Sequence, residues 1–111
     1  MFDYQPAREI VICRDNFRMS VQASRNHYCH PKENGLDMSY TSVEIGFPSD
    51  KEDLLMDWAE DGDKPTETVY GYVPVSVVID VIEKHGGISS GQLPEFDLTN
   101  YKEEGEEQWN K

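Results

Sequence analysis

Three groups of side chains in this chain have types and spacings that can do chemistry. The first is His27-Tyr28-Cys29-His30, together with Cys13. It holds the nitrogen and sulfur donors that zinc takes in a tetrahedron. The spacing is poor for that ion, because adjacent Cys29 and His30 are awkward to place on one metal and no Cys-x-x-Cys pair exists. Cys29 also lies close in sequence to Arg25, His27 and His30, a cationic setting that favours a thiolate nucleophile. No orienting group or oxyanion site accompanies it. A polar loop with surface His and Tyr is the simpler reading, and a small metal-dependent or cysteine-based hydrolase is the alternative.

The second group is a run of acids: Asp50, Glu52, Asp53, Asp57, Glu60, Asp61, Asp63 and Glu67. On a helix, Asp50, Asp53, Asp57, Glu60 and Asp61 recur at three- and four-residue steps and share a face. Like charges at that spacing cost a helix a few tenths of a kcal/mol per pair, so stability alone does not select them. A solvated face explains them most simply. A calcium loop fits badly, since Asp57 to Glu67 lacks the alternating acids and distal Glu of that motif, although Glu60-Asp61-Gly62-Asp63 has the oxygens to bind a divalent ion loosely. The functional reading is a row of carboxylates that imitates a nucleic-acid backbone, with its phosphate charge about every 1.7 Å of axis, for a protein with a basic groove. Asp50, Asp53, Asp57, Glu60, Asp61, Asp63 and Glu67 are then the contact residues. Tyr70 and Tyr72, with Trp58 and Phe47, would supply aromatic anchors. The third group is His85 beside Gly86-Gly87, most simply a cation at a helix C-terminus and less simply a catalytic base. No catalytic residue and no cofactor is assigned.

The charge balance favours the acidic segment over the other two. Residues 1–47 carry five basic and six acidic residues, a net of −1; residues 48–111 carry five lysines and sixteen acids, a net of −11, which completes the −12 of the whole chain. A field of one sign steers oppositely charged partners and repels polyanions. It excludes nucleic acid held by phosphate contacts, which need Lys and Arg. It also disfavours anionic membrane surfaces. No run of about 18 apolar residues offers a membrane span, and Met1-Phe2-Asp3-Tyr4 lacks the features of a signal peptide. The expected compartment is the cytoplasm, where Cys13 and Cys29 stay reduced.

These groups must be positioned by a small domain. Asp15-Asn16 reads as a two-residue hairpin loop that sets Ile12 opposite Met19 and Ile10 opposite Val21, with an alternating strand from Phe17 to Ala23. Residues 24–39 read as a loop. A strand over Tyr40–Phe47 puts Val43, Ile45 and Phe47 on one face, and Pro48 ends it. Ser49 and Glu52 fit a capping box opening a helix of roughly 11 residues, with Leu54, Leu55, Trp58 and Ala59 as its stripe. Glu67–Val73 reads as a strand. Pro74 opens a second helix, apolar nearly all round, that stops at Gly86-Gly87. Its β-branched content makes a strand the competing assignment. The expectation is α+β: an antiparallel sheet of three or four strands packed on one face by two helices. Residues 1–90 form the domain and residues 91–111 an acidic, partly disordered tail, in which Phe96, Tyr101 and Trp109 have the means to dock singly. Exposed strand edges leave a homodimer open.

The segments Met19-Ser20-Val21-Gln22-Ala23-Ser24, Tyr28-Cys29-His30-Pro31, Val43-Glu44-Ile45-Gly46-Phe47-Pro48-Ser49, Thr68-Val69-Tyr70-Gly71-Tyr72-Val73-Pro74 and Lys84-His85-Gly86-Gly87 resemble small acidic proteins of tailed phages and prophages. The resemblance spans roughly residues 8–88. It implies an accessory product acting inside a bacterium on a host protein, as an inhibitor or nucleic-acid mimic, or else a minor virion component. It carries over no site residue.

Overall fold

The computed structural model describes residues 7–34 and 38–98. Five antiparallel strands form one sheet: β1 (Val11–Cys13), β2 (Arg18–Gln22), β3 (Ser42–Gly46), β4 (Val69–Pro74) and β5 (Ile88–Ser90), in the order β4-β3-β2-β1-β5. A 3₁₀ helix spans Asp53–Trp58 and one α-helix, α1, spans Val75–Lys84. The α+β class holds, with five strands where three or four were expected.

The hairpin forms one residue out of the expected register. Val11, not Ile12, faces Met19, and Ile12 faces Arg18. The connection is three residues long, closed by Cys13 N–H donating to Phe17 O (2.8 Å) and Asn16 N–H to Cys13 O (2.9 Å). Asn16 takes the left-handed conformation (φ 77°) that such a loop needs at its third position. Asp15 Oδ1 accepts the Phe17 N–H (2.9 Å) and completes the turn. Strand side chains alternate, so one residue of slip exchanges the faces. Val11 and Cys13 are buried beside Phe17, Met19, Val21 and Ala23, while Ile10 is turned out.

In β3, Val43 and Ile45 face the core as expected, but Phe47 does not. Its φ of 49° breaks the strand and leaves its ring 61% exposed. The expected capping box is absent. Ser49 Oγ instead accepts the Arg18 N–H (3.0 Å), and Ser49 N–H donates to Arg18 O (2.8 Å), which ties the segment to β2. Glu52 is the cap, its Oε2 accepting the Leu54 N–H (3.0 Å), and it opens a short 3₁₀ helix rather than an α-helix of eleven residues. Three residues per turn do not align acids spaced by three and four on one face.

β4 ends at one edge of the sheet, and α1 follows directly from Pro74. Val75, Val78, Val81 and Ile82 are buried, and Asp80 and Glu83 are exposed, so α1 is one-sided rather than apolar all round. Gly86 N–H donates to Glu83 O and Gly87 N–H to Ile82 O, the paired bonds of a Schellman ending, at φ values of 90° and 96° that glycine adopts without strain. The chain then adds β5 to β1 at the opposite edge of the sheet. No sequence pattern announces β5. Gly91 ends it (φ 112°) where any Cβ would collide with the Ile10–Val11 backbone.

Residues 91–98 are part of the folded body. Tyr40 N–H donates to Glu95 O (2.9 Å) and Asp97 N–H to Tyr40 O (2.8 Å), while Leu93, Phe96 and Leu98 pack on the core. Packing therefore continues past the expected boundary at residue 90. The rest of the expected tail, including Tyr101, Lys102–Glu107 and Trp109, lies outside the described residues.

Candidate functional site

The most organised polar site joins three elements that are far apart in sequence. The hairpin turn supplies Asp15, the start of the 3₁₀ helix supplies Glu52, and the end of α1 supplies Lys84 and His85. His85 Nδ1 lies 2.6 Å from Asp15 Oδ2, and its Nε2 lies 2.6 Å from Glu52 Oε1. Lys84 Nζ donates to Glu52 Oε2 at 2.7 Å. The imidazole also stacks on Phe17, with centroids 4.1 Å apart and planes 11° from parallel. Glu52 is the buried acid of the set, at 2% exposure.

Two carboxylates on the two ring nitrogens require both nitrogens to donate, which is the imidazolium form. Burial pushes the His85 pKa down, but the hydrogen bonds to Glu52 and Asp15 and their charges outweigh it and raise it above 6.5. Burial pushes Glu52 up, yet Lys84, the Leu54 amide and His85 together hold it below 4.5. Asp15 is lowered by the Phe17 amide and then by His85. A ring with both nitrogens committed has no lone pair to accept a proton, so this geometry is a charged clamp and not a general base.

The His/Cys cluster does not assemble. Cys13 lies in β1 and Cys29 is fully buried in the loop before β3, its thiol donating to Ser24 O (3.2 Å) and Pro31 O (3.4 Å). Burial raises both thiol pKa values, the reverse of what a nucleophile needs. His27 Nδ1 is 2.6 Å from Ser24 Oγ, and His30 Nδ1 is 3.1 Å from Ser42 Oγ. Among the described residues, neither imidazole has a carboxylate on its other nitrogen to orient it as a triad base. Among the described residues, no three His, Cys, Asp or Glu side chains come together as a metal site. The weak metal candidates Cys13, His27, Cys29 and His30 are therefore separated into individual structural contacts.

The acidic segment divides sharply. Glu52 is turned inward, while Asp50, Asp53, Asp57, Glu60, Asp61, Asp63 and Glu67 are all exposed. Lys51 approaches Asp53 only at 4.0 Å, between two exposed side chains. From Glu60 to Val69 the acids ride on a loop closed by Glu60 N–H donating to Val69 O (3.0 Å) and Asp61 N–H to Thr68 Oγ1 (3.1 Å). Tyr70 is fully buried beneath this loop and its hydroxyl donates to Pro65 O (2.6 Å). Tyr70 is thus the support of the acidic loop and not a surface anchor, which corrects that expectation. Tyr72 is 41% exposed and sits with His30 (4.8 Å between centroids) and Tyr28 (5.8 Å) in a surface aromatic row.

No family model, curated protein or solved structure matches this chain.

The clamp is hidden in the sequence because each member has an adequate local reading: Asp15 as a turn residue, Glu52 as a capping-box acid and His85 as a C-terminal cation. Their meeting depends on α1 crossing from the edge strand β4 to the hairpin turn, where Arg14 N–H donates to Gly87 O (2.9 Å). The one signal available in sequence is Glu52 itself, an acid that α1 could bring near its terminal Lys84-His85 pair.

Proposed function

We propose that this chain is a non-catalytic binding protein that engages a basic surface of a partner protein through its exposed acids at 50–67. One observation supports this above the rest. Of the eight acids in that segment, Glu52 alone serves the internal clamp, and the other seven face solvent. The Tyr70–Pro65 contact and the Glu60–Val69 closure hold four of them, Glu60, Asp61, Asp63 and Glu67, on a braced loop rather than a loose one. Preorganised charge raises association rates and specificity more than raw affinity. Tyr72, on the neighbouring aromatic row, is the surface anchor.

The resemblance to phage and prophage proteins suggests the setting: an accessory factor in the bacterial cytoplasm, occupying a host groove that otherwise holds nucleic acid. Among the described residues no helix is long and apolar enough to cross a membrane. The test is affinity capture from a bacterial lysate, followed by binding of the purified partner at rising salt. Affinity should fall steeply with salt and be lost when Asp50, Asp53, Asp57, Glu60 and Asp61 are changed to their amides. Duplex DNA should compete if the partner's groove is a nucleic-acid site. A partner whose affinity ignores both salt and the amide changes refutes the reading.

A further inference from the structure

The register slip in the hairpin has a consequence on the other face of the sheet. It turns Ile10 outward, and the left-handed backbone at Phe47 turns that ring outward beside it. These are the two most exposed large apolar side chains among the described residues, at 54% and 61%. Both line one surface groove of about 260 Å³, whose remaining wall and floor are Arg18, Ser20, Gly46 and Ser49. A bulky residue at positive φ is uncommon and costs about 1–3 kcal/mol. Here that conformation serves to present an aromatic ring to solvent.

The polar groups of the groove are all able to donate. Ser20 Oγ accepts from Gln22 Nε2 (3.0 Å) and Ser49 Oγ accepts from the Arg18 N–H (3.0 Å), which leaves both hydroxyl hydrogens for a ligand. Among the described residues the Arg18 guanidinium has no ion-pair partner. Among the described residues no acid lines the groove, although the chain carries a net charge of −12. Apolar walls, two hydroxyls and a free guanidinium complement an apolar group that carries a carboxylate. In an extended peptide, neighbouring side chains point to opposite faces. At the chain end, by contrast, side chain and carboxylate hang from one carbon, close enough to share a groove of this volume. The walls are too open to enclose a free small molecule, which a dedicated pocket buries by about 70–90%.

We propose that this groove docks the C-terminal residue of a protein partner, its apolar side chain between Ile10 and Phe47 and its carboxylate on Arg18, Ser20 and Ser49. This is independent of the acidic segment on 50–67.

The probe is the peptide Ac-Gly-Ser-Gly-Leu with a free C-terminus, titrated into the ¹⁵N-labelled full chain. Saturable shifts should centre on Ile10, Arg18, Ser20, Gly46, Phe47 and Ser49. The C-terminally amidated peptide should bind about tenfold more weakly, as for loss of a charge-assisted pair. Arg18→Gln should abolish the preference for the free carboxylate. Phe47→Gly, which suits the backbone at that position, should weaken both peptides without unfolding the chain. Equal binding of the two peptides, shifts centred elsewhere, or no saturable shift below about 5 mM peptide overturns the proposal.

Discussion

His85 Nε2 lies 2.6 Å from Glu52 Oε1, across 33 residues of chain, and that contact fastens the end of α1 to the start of the 3₁₀ helix. Because Asp15 holds the other ring nitrogen, the contact requires a proton that His85 would lose near pH 6.5 in an unfolded chain. A raised pKa means that the folded state binds this proton more tightly. The stabilisation is therefore complete below pH 6.5 and lost as pH rises through the higher folded value. Stability measured by urea unfolding should fall on that alkaline limb in the native chain and stay flat there in His85→Gln. NMR titration of the ring carbons should place the His85 midpoint above 6.5. A midpoint at or below it would remove the clamp from the account.

Glu52 should be the most sensitive acid in the chain. Its two oxygens serve Lys84, His85 and the Leu54 N–H, and its side chain is 2% exposed. Glu52→Gln keeps the shape but withdraws the charge that holds Lys84 and His85. A loss of about 2 kcal/mol is expected, at the lower end for a buried pair because Lys84 is half exposed. The sign with pH is opposite to that of His85: a depressed carboxyl stabilises above about pH 4.5 and loses its effect as pH falls below it. Asp50→Asn, at an exposed position outside the clamp, should change stability by less than about 0.5 kcal/mol. Equal effects at 50 and 52 would contradict the division between inward and outward acids.

The fold was legible where one periodicity dominated. The β2 alternation, the Val43–Ile45 face and the Gly86-Gly87 stop were all readable from the chain. It was not legible where a backbone conformation decided the outcome. The hairpin register turned on whether the loop was two or three residues long, and Asp15-Asn16 suits either. Phe47 has strand periodicity but a left-handed φ that no sequence pattern announces. Ser49 satisfied a helix-cap rule yet bonds to Arg18 in a neighbouring strand. β5 is three residues with two serines, too short to show alternation. For the candidate site, the exposed acids were visible as a composition, while Tyr70 was misplaced because an aromatic in a β-rich run reads the same whether it faces core or solvent.

Asn16 tests the register directly. Its φ of 77° is tolerated by Asn and Gly and resisted by β-branched residues. Asn16→Val should cost about 1–2 kcal/mol, and Asn16→Gly should be nearly neutral. Thermal or urea unfolding of the pair gives the comparison. If both substitutions were neutral, the three-residue connection would not be what sets Val11 against Met19.

The buried thiols separate the binding reading from the hydrolase alternative. Cys13 and Cys29 are 1% and 0% exposed, and burial raises both pKa values above 9.0. A thiol in that state reacts only when the chain opens. Alkylation of the folded protein at pH 8 should be far slower than that of a free cysteine and should accelerate with urea in step with unfolding. Fast labelling of Cys29 in the native chain would restore a nucleophile to the loop.

Tyr70 links the core to the acidic loop, so its hydroxyl offers a way to loosen that loop without touching a charge. Tyr70→Phe removes the bond to Pro65 O and leaves that half-buried carbonyl without its donor. The cost should be about 1 kcal/mol. The larger effect should be local: amide exchange at Glu60, Lys64 and Glu67, whose N–H groups close turns within residues 60–69, should quicken more than exchange in β2 or β3. Partner association should then slow at low salt although every carboxylate is still present, because preorganisation is lost and not charge. An unchanged rate in Tyr70→Phe would mean that the acids act as a diffuse field, and that the bracing of the loop has no part in recognition.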